Sequence, residues 1–140
     1  MDHKRIYEWF HFGDNDLIVA EHSAKTLNPQ PYEIICYHCQ QAIEKYLKGY
    51  LVFYGTEEPS RTHNLMALCE LCSEIDHEFD RIVSKCNILN AYSVHPRYPD
   101  DIYIDEDRAQ IALDYAKELK SFPPLIAVRQ ELNRHKSDDE

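Results

Sequence analysis

Residues 36–51 read Cys-Tyr-His-Cys-Gln-Gln-Ala-Ile-Glu-Lys-Tyr-Leu-Lys-Gly-Tyr-Leu. With Ile35 included, apolar side chains fall at Ile35, Cys39, Ala42, Ile43, Tyr46, Leu47, Tyr50 and Leu51. That is the three-four spacing of one helical face, and Gln40, Gln41, Glu44, Lys45 and Lys48 take the other. The stretch predicts a long amphipathic helix that packs on other helices and turns its lysines to solvent. No segment of the chain alternates apolar and polar residues as a half-buried strand does.

The same rhythm extends in both directions. A first helix is expected over 4–27, with Ile6, Phe10, Gly13, Leu17, Ala20 and Ala24 in one stripe. Glycine costs about 1 kcal/mol against alanine inside a helix, so Gly13 points to a close helix–helix approach. Asn28-Pro29-Gln30-Pro31 breaks the chain. The second helix then runs over 32–54 and stops at Gly55. Thr62 is the expected N-cap of a third helix carrying Leu65, Leu68, Cys69 and Cys72 on one side. A fourth over 77–92 presents Phe79, Ile82, Val83, Cys86 and Leu89. A proline-bearing loop from Ser93 to Ile104 leads to Asp105, a suitable N-cap for a fifth helix with Ala109, Ala112, Leu113, Ala116 and Leu119. Pro123-Pro124 ends it, and a short helix over 125–133 follows. The reading is all-α: an antiparallel up-and-down bundle of about five helices over 1–122, with a short helix and an acidic tail over 123–140.

The gross numbers narrow the function classes. One domain fits 140 residues. A formal charge of −10 argues against a broad nucleic-acid-binding face, because such faces rest on Lys and Arg neutralising phosphates. It leaves room for a small basic site. No export signal and no apolar run long enough for a membrane span is visible, so a cytoplasmic protein with no membrane association is expected. Five cysteines in such a chain read as reduced thiols.

Those cysteines raise zinc. Cys36-x-x-Cys39 and Cys69-x-x-Cys72 are two paired-thiol motifs, with His38 inside the first. Both pairs fall on apolar helix faces without a glycine-bearing knuckle, where reduced cysteine acts as a small hydrophobe. Core packing is the reading adopted, with no metal and no cofactor expected; a zinc-stabilised interaction domain is the rival.

A polar set remains: His63, His95, Arg97, Tyr98 and Lys48. Four groups of residues together resemble the HEPN domain, a helical family named for its occurrence in higher eukaryotes and prokaryotes. They are Gln41, Glu44, Lys45 and Lys48 on the second helix; Thr62-His63-Asn64-Leu65; Arg97-Tyr98-Pro99-Asp100; and Trp9, Gly13, Asp16, Leu17 and Ala20 on the first helix. The resemblance covers about residues 5–122. It implies a homodimer and, for bacterial members, a minimal nucleotidyltransferase as partner in a toxin–antitoxin-like system.

Many members are metal-independent ribonucleases marked by an arginine, four to six residues, then a histidine. Downstream of Arg97 those positions hold Ile102, Tyr103 and Ile104, so the motif is missing where it belongs. Arg5 with His11 and Arg129 with His135 match the spacing by chance, since residues six apart on a helix diverge. No catalytic residue is therefore assigned.

The expectation is a non-catalytic binding module for a nucleotide, an RNA end or a nucleotidyltransferase, with Arg97, Tyr98, His63, Lys48 and His95 as ligand-binding candidates. Arg97 either grips phosphate or pairs with Asp100 or Asp101. Tyr98 either stacks on a base or plugs the bundle end. His63 either helps hold an anion at a helix N-terminus or bonds between helices. His95 is either an acid/base partner of Arg97 or a surface side chain. The rival enzyme reading is a divergent ribonuclease using Arg97 with His95 or His63. Tyr7, Trp9, Tyr37 and Tyr50 are read as an aromatic surplus available to a partner.

Overall fold

The structure, a computed structural model, describes residues 2–56, 59–93 and 104–139. Among these are six α-helices and no strand: α1 His3–Thr26, α2 Tyr32–Phe53, α3 Leu65–Ile75, α4 Val83–Asn90, α5 Glu106–Lys120 and α6 Pro123–Asp139. The expected all-α antiparallel bundle is what the chain forms. No described helix is long and apolar enough to cross a membrane.

α2 is the central rod, touching α1, α3, α4, α5 and α6. Its face of Ile35, Cys39, Ala42, Ile43, Tyr46, Leu47, Tyr50 and Leu51 is buried as the periodicity predicts. α1 runs antiparallel beside it, and two glycines set the spacing. A Cβ on Gly13 would stand 2.6 Å from Tyr46 Cε1, and one on Gly49 would stand 2.8 Å from Phe10 Cε2. Each helix therefore gives up a side chain where the other inserts an aromatic ring.

The ends of the helices show local chemistry. Asp2 caps α1 by accepting from Arg5 N at 3.0 Å, and Asp105 caps α5 by accepting from Arg108 N at 2.9 Å. α2 closes at Gly55, whose φ of +95° suits glycine. Thr62 is not the cap of α3. Asn64 is: its Oδ1 accepts from Met66 N at 2.8 Å and Ala67 N at 3.2 Å, while Thr62 Oγ1 accepts from Asn64 N. The expected fourth helix is divided. Asp76 accepts from Glu78 N and starts a 3-10 turn, His77–Ile82, before α4 begins.

α6 is longer than the expected 125–133. Pro123 opens it, a position where the missing N–H costs nothing. Leu125, Val128 and Leu132 of α6 are buried in the same core as α1 and α2. Tyr50 belongs to that core too, so it is no part of an aromatic surplus; Tyr7 is exposed, and Trp9 and Tyr37 are half-buried.

Candidate functional site

The largest departure from the sequence reading lies on the polar face of α2. Lys48 is not solvated. It is 2% exposed, and Gln40 and Glu44 are buried with it. Three residues spaced four apart form a ladder along one side of the helix. Lys48 Nζ donates to Glu44 Oε2 at 2.9 Å, and Gln40 Nε2 donates to Glu44 Oε1 at 3.3 Å. Trp9 of α1 covers the ammonium, its ring centre 5.4 Å from Nζ. A buried charge is tolerated only when paired and hydrogen-bonded, and each end of this ladder meets that demand.

His63 completes the group from the segment entering α3. Its Nδ1 lies 3.1 Å from Glu44 Oε2, and its carbonyl oxygen lies 3.5 Å from Gln40 Nε2. A carboxylate only accepts, so the ring proton sits on Nδ1 and Nε2 is left for another partner. The imidazole side chain is 70% exposed while Glu44 is 4% exposed. An open ring is thus held by a buried carboxylate. The amides of the α3 N-terminus beside it are already paired: Asn90 Oδ1 accepts from Leu65 N at 2.8 Å, and Asn64 takes the next two.

That Asn90 contact places the end of α4 beside His63. The chain passes from α4 into 94–103 through Tyr92, a buried ring, and returns at Ile104, which packs on the core. His95, Arg97 and Tyr98 lie outside the described residues.

A second histidine–carboxylate group occupies the α1 side of α2. Asp16 of α1 is 9% exposed; its Oδ1 lies 2.8 Å from His38 Nδ1 and its Oδ2 accepts from Lys45 Nζ. Lys45 is thereby an interhelical ion pair and not a free surface charge.

A third network fastens α6. Asp14 of α1 accepts from Arg129 Nη2 at 2.7 Å, Arg129 Nη1 at 3.1 Å and Tyr46 Oη at 2.6 Å. The guanidinium lies between the Phe10 and Tyr46 rings, 4.9 and 5.0 Å from their centres. Burial alone would raise the Asp14 pKa, but Arg129 and Tyr46 outweigh it and hold the carboxyl below its usual range. The Tyr46 hydroxyl is pushed up by burial and by that carboxylate. His135 stacks on His3, with ring centroids 3.7 Å apart.

The cysteines are core. All five are free and buried. Cys72 Sγ reaches the Leu47 carbonyl, eight residues and about 12 Å of helix away from Cys39, so the two pairs do not converge. Among the described residues no group of three or more His, Cys, Asp and Glu side chains is placed to hold a metal.

Sequence reasoning named His63 and Lys48 but missed what joins them; it met His38 only inside a thiol motif and Asp16 only in the first-helix pattern, and it passed over Asp14. One signal was present: Gln40, Glu44 and Lys48 stand four apart beside Gly49, and a glycine that admits a neighbouring helix also buries what flanks it. A HEPN domain family model matches residues 6–123. None of the curated proteins or solved structures compared matches the chain. With a family model spanning well over half of its 140 residues, and with the antiparallel bundle just described, this chain belongs to the HEPN domain family.

Proposed function

We propose that this protein is a non-catalytic HEPN binding module, acting as a homodimer in the cytoplasm, that recognises a nucleotide or an RNA end. In this reading it partners a minimal nucleotidyltransferase in a toxin–antitoxin-like pair. The observation that carries the reading is the seating of His63, an open imidazole fixed by the buried Glu44 carboxylate, itself neutralised by Lys48. Such a ring has Nε2 turned outward, and when protonated it donates a charge-assisted hydrogen bond to phosphate. Arg97 supplies a second phosphate contact and Tyr98 a base-stacking ring. Half-exposed Phe12 and Val19 on α1 give a second copy an apolar surface to cover.

The test is thermal stabilisation by nucleotides, read on wild type, His63→Ala and Arg97→Ala, with sedimentation to count subunits. The reading expects a nucleotide-dependent rise in melting temperature that both substitutions abolish. No stabilisation by any nucleotide, or a monomer at all concentrations, refutes the corresponding half. The same His63–Glu44 pair favours a second reading, because a carboxylate-held imidazole is a competent general base. RNA cleavage in chelator that is lost in His63→Ala and Arg97→Ala would establish that reading in its place.

A further inference from the structure

α1 and α6 run antiparallel with a groove between them: Asp14 meets Arg129 at one end, and His3 stacks on His135 at the other. Tyr7, Phe10, His11 and Asp14 stand three and four apart on α1, and Arg129, Leu132 and Asn133 do so on α6, so the two sets converge. The groove they line has a volume of about 100 Å³. Buried Phe10 and Leu132 make its floor apolar, while exposed Tyr7, His11 and Asn133 form its rim. Arg129, Leu132 and Asn133 lie beyond the residues that the family model matches, so family membership assigns them no role.

The guanidinium in this groove is only partly used. Nη1 and Nη2 both donate to Asp14. One edge is left over: Nε–H with the second hydrogen of Nη2, a fork that matches two oxygens carried on one atom. Arg129 Nε is buried and meets no acceptor among the described residues. A buried donor without an acceptor is destabilising, and proteins retain few of them. The surrounding charge favours an anion. Lys120 Nζ lies 3.8 Å from Asp14 Oδ1, and Lys136 Nζ lies over the Tyr7 ring, 5.5 Å from its centre. Together with Arg129 they outnumber the Asp14 carboxylate, and neighbouring Glu131 is taken up by Arg134.

We infer that the α1–α6 groove binds a small monocarboxylate, whose two oxygens take the unused edge of Arg129 and whose short apolar tail rests on Phe10 and Leu132. Both hydrogens of that edge lie in the guanidinium plane, so a flat carboxylate meets them with two parallel hydrogen bonds. A phosphate dianion is disfavoured, because it would sit beside the Asp14 carboxylate that shares Nη2. A nucleoside is too large, since pockets that enclose drug-sized ligands measure about 300–1,000 Å³. Nε is closed to solvent, so entry turns the rim side chains aside. His11 and Asn133 can then donate to the remaining lone pairs. This site shares no residue with the His63 frame and does not depend on the reading of the chain as a nucleotide- or RNA-binding module.

The test is a proton–nitrogen correlation spectrum of the arginine Nε–H groups, recorded while sodium propionate is titrated in at constant ionic strength. One Nε–H resonance, identified by its absence in Arg129→Lys, is expected to move downfield and saturate in the millimolar range that suits so small a ligand. Propionamide, which has the same shape without the charge, and sodium chloride are expected to leave it in place. Arg129→Lys also loosens α6, so a second variant separates binding from folding. Asn133→Glu, one turn from Arg129, tethers a competing carboxylate at the same edge. Its melting temperature without propionate is expected not to fall, while propionate binds about tenfold more weakly. A short peptide with a free terminal carboxylate is expected to bind no tighter than propionate; tighter binding would overturn the assignment to a free small acid. An Arg129 resonance that ignores propionate or answers chloride equally, or unchanged propionate binding in Asn133→Glu, would overturn the site itself.

Discussion

Replacing Arg129 with methionine keeps a flexible apolar stem between the Phe10 and Tyr46 rings and removes the charge that fastens α6 to α1. Fully exposed ion pairs contribute about 0.2–1 kcal/mol, and breaking a fully buried one costs about 3–5 kcal/mol. The Arg129 and Asp14 side chains are 22% and 28% exposed, much nearer the buried limit. In the variant Asp14 keeps the Tyr46 hydroxyl at 2.6 Å and has Lys120 at 3.8 Å, so the carboxylate is not orphaned. Two charge-assisted hydrogen bonds and two ring contacts are lost against that partial rescue. The expected cost is about 2–3 kcal/mol, or a melting temperature lower by about 5–10 °C for a chain of this size.

The pH dependence tests the cause. The folded-state pKa of Asp14 lies below its ordinary 3.8, so the associated stability is fully present above that value. It disappears as pH falls through the folded pKa, where the carboxyl takes up its proton. The gap between wild type and Arg129→Met, measured by urea denaturation, is therefore expected at full size near pH 7 and to shrink below about pH 4. In a double-mutant cycle with Asp14→Asn the two sites couple by about 1–3 kcal/mol. A gap under about 0.5 kcal/mol at neutral pH, or one of equal size at pH 3, would refute the assignment of this network as the fastening of α6.

Three further outcomes follow from the same geometry. Gly13→Ala drives a methyl group to 2.6 Å from the Tyr46 ring and is expected to destabilise by about 1–3 kcal/mol, read as a lower urea midpoint at unchanged slope; an unchanged midpoint would mean that α1 and α2 do not approach so closely. Glu44→Gln leaves the 2%-exposed Lys48 ammonium unpaired and is expected to cost about 3–5 kcal/mol, whereas Glu44→Gln with Lys48→Met recovers most of it; a double variant no more stable than the single one rules out charge burial as the reason. Burial pushes the Cys36 thiol up to about 12 and raises Cys39 and Cys72 as well, so a thiol reagent at pH 8 should label these three only after unfolding, and rapid labelling of the native protein would place them at the surface.

The apolar half of the fold was legible because it depends on spacing alone. Leu65, Leu68, Cys69 and Cys72, or Ala109, Ala112, Leu113, Ala116 and Leu119, share a side of their helix whatever surrounds it, and all are buried. Asp105 was legible as a cap because its side chain acts three residues away. Thr62 misled because Asn64 competes for the same amides, and Asn90, distant in sequence, settles the contest by taking Leu65 N. α6 was read short because Arg134, His135 and Lys136 are polar; what commits its first turns to the bundle is Asp14, more than a hundred residues earlier.

The candidate site was illegible for a related reason. Periodicity assigns faces to a helix but does not say how many neighbours the helix has. A rod packed on one side leaves its polar face in water, and Gln40, Glu44 and Lys48 on such a rod are a solvated ladder. α2 is instead packed on by five helices, so Trp9 from α1 and His63 from the approach to α3 close over that ladder. The three side chains then have no water to satisfy them and must satisfy each other. A centrally placed helix in a small bundle converts its own polar face into a fixed hydrogen-bonded frame, and whatever reaches the surface from that frame is held rigidly from below. That is why His63 stands exposed yet oriented: its position follows from the burial of Glu44, and the burial of Glu44 follows from the neighbours that close over that part of α2.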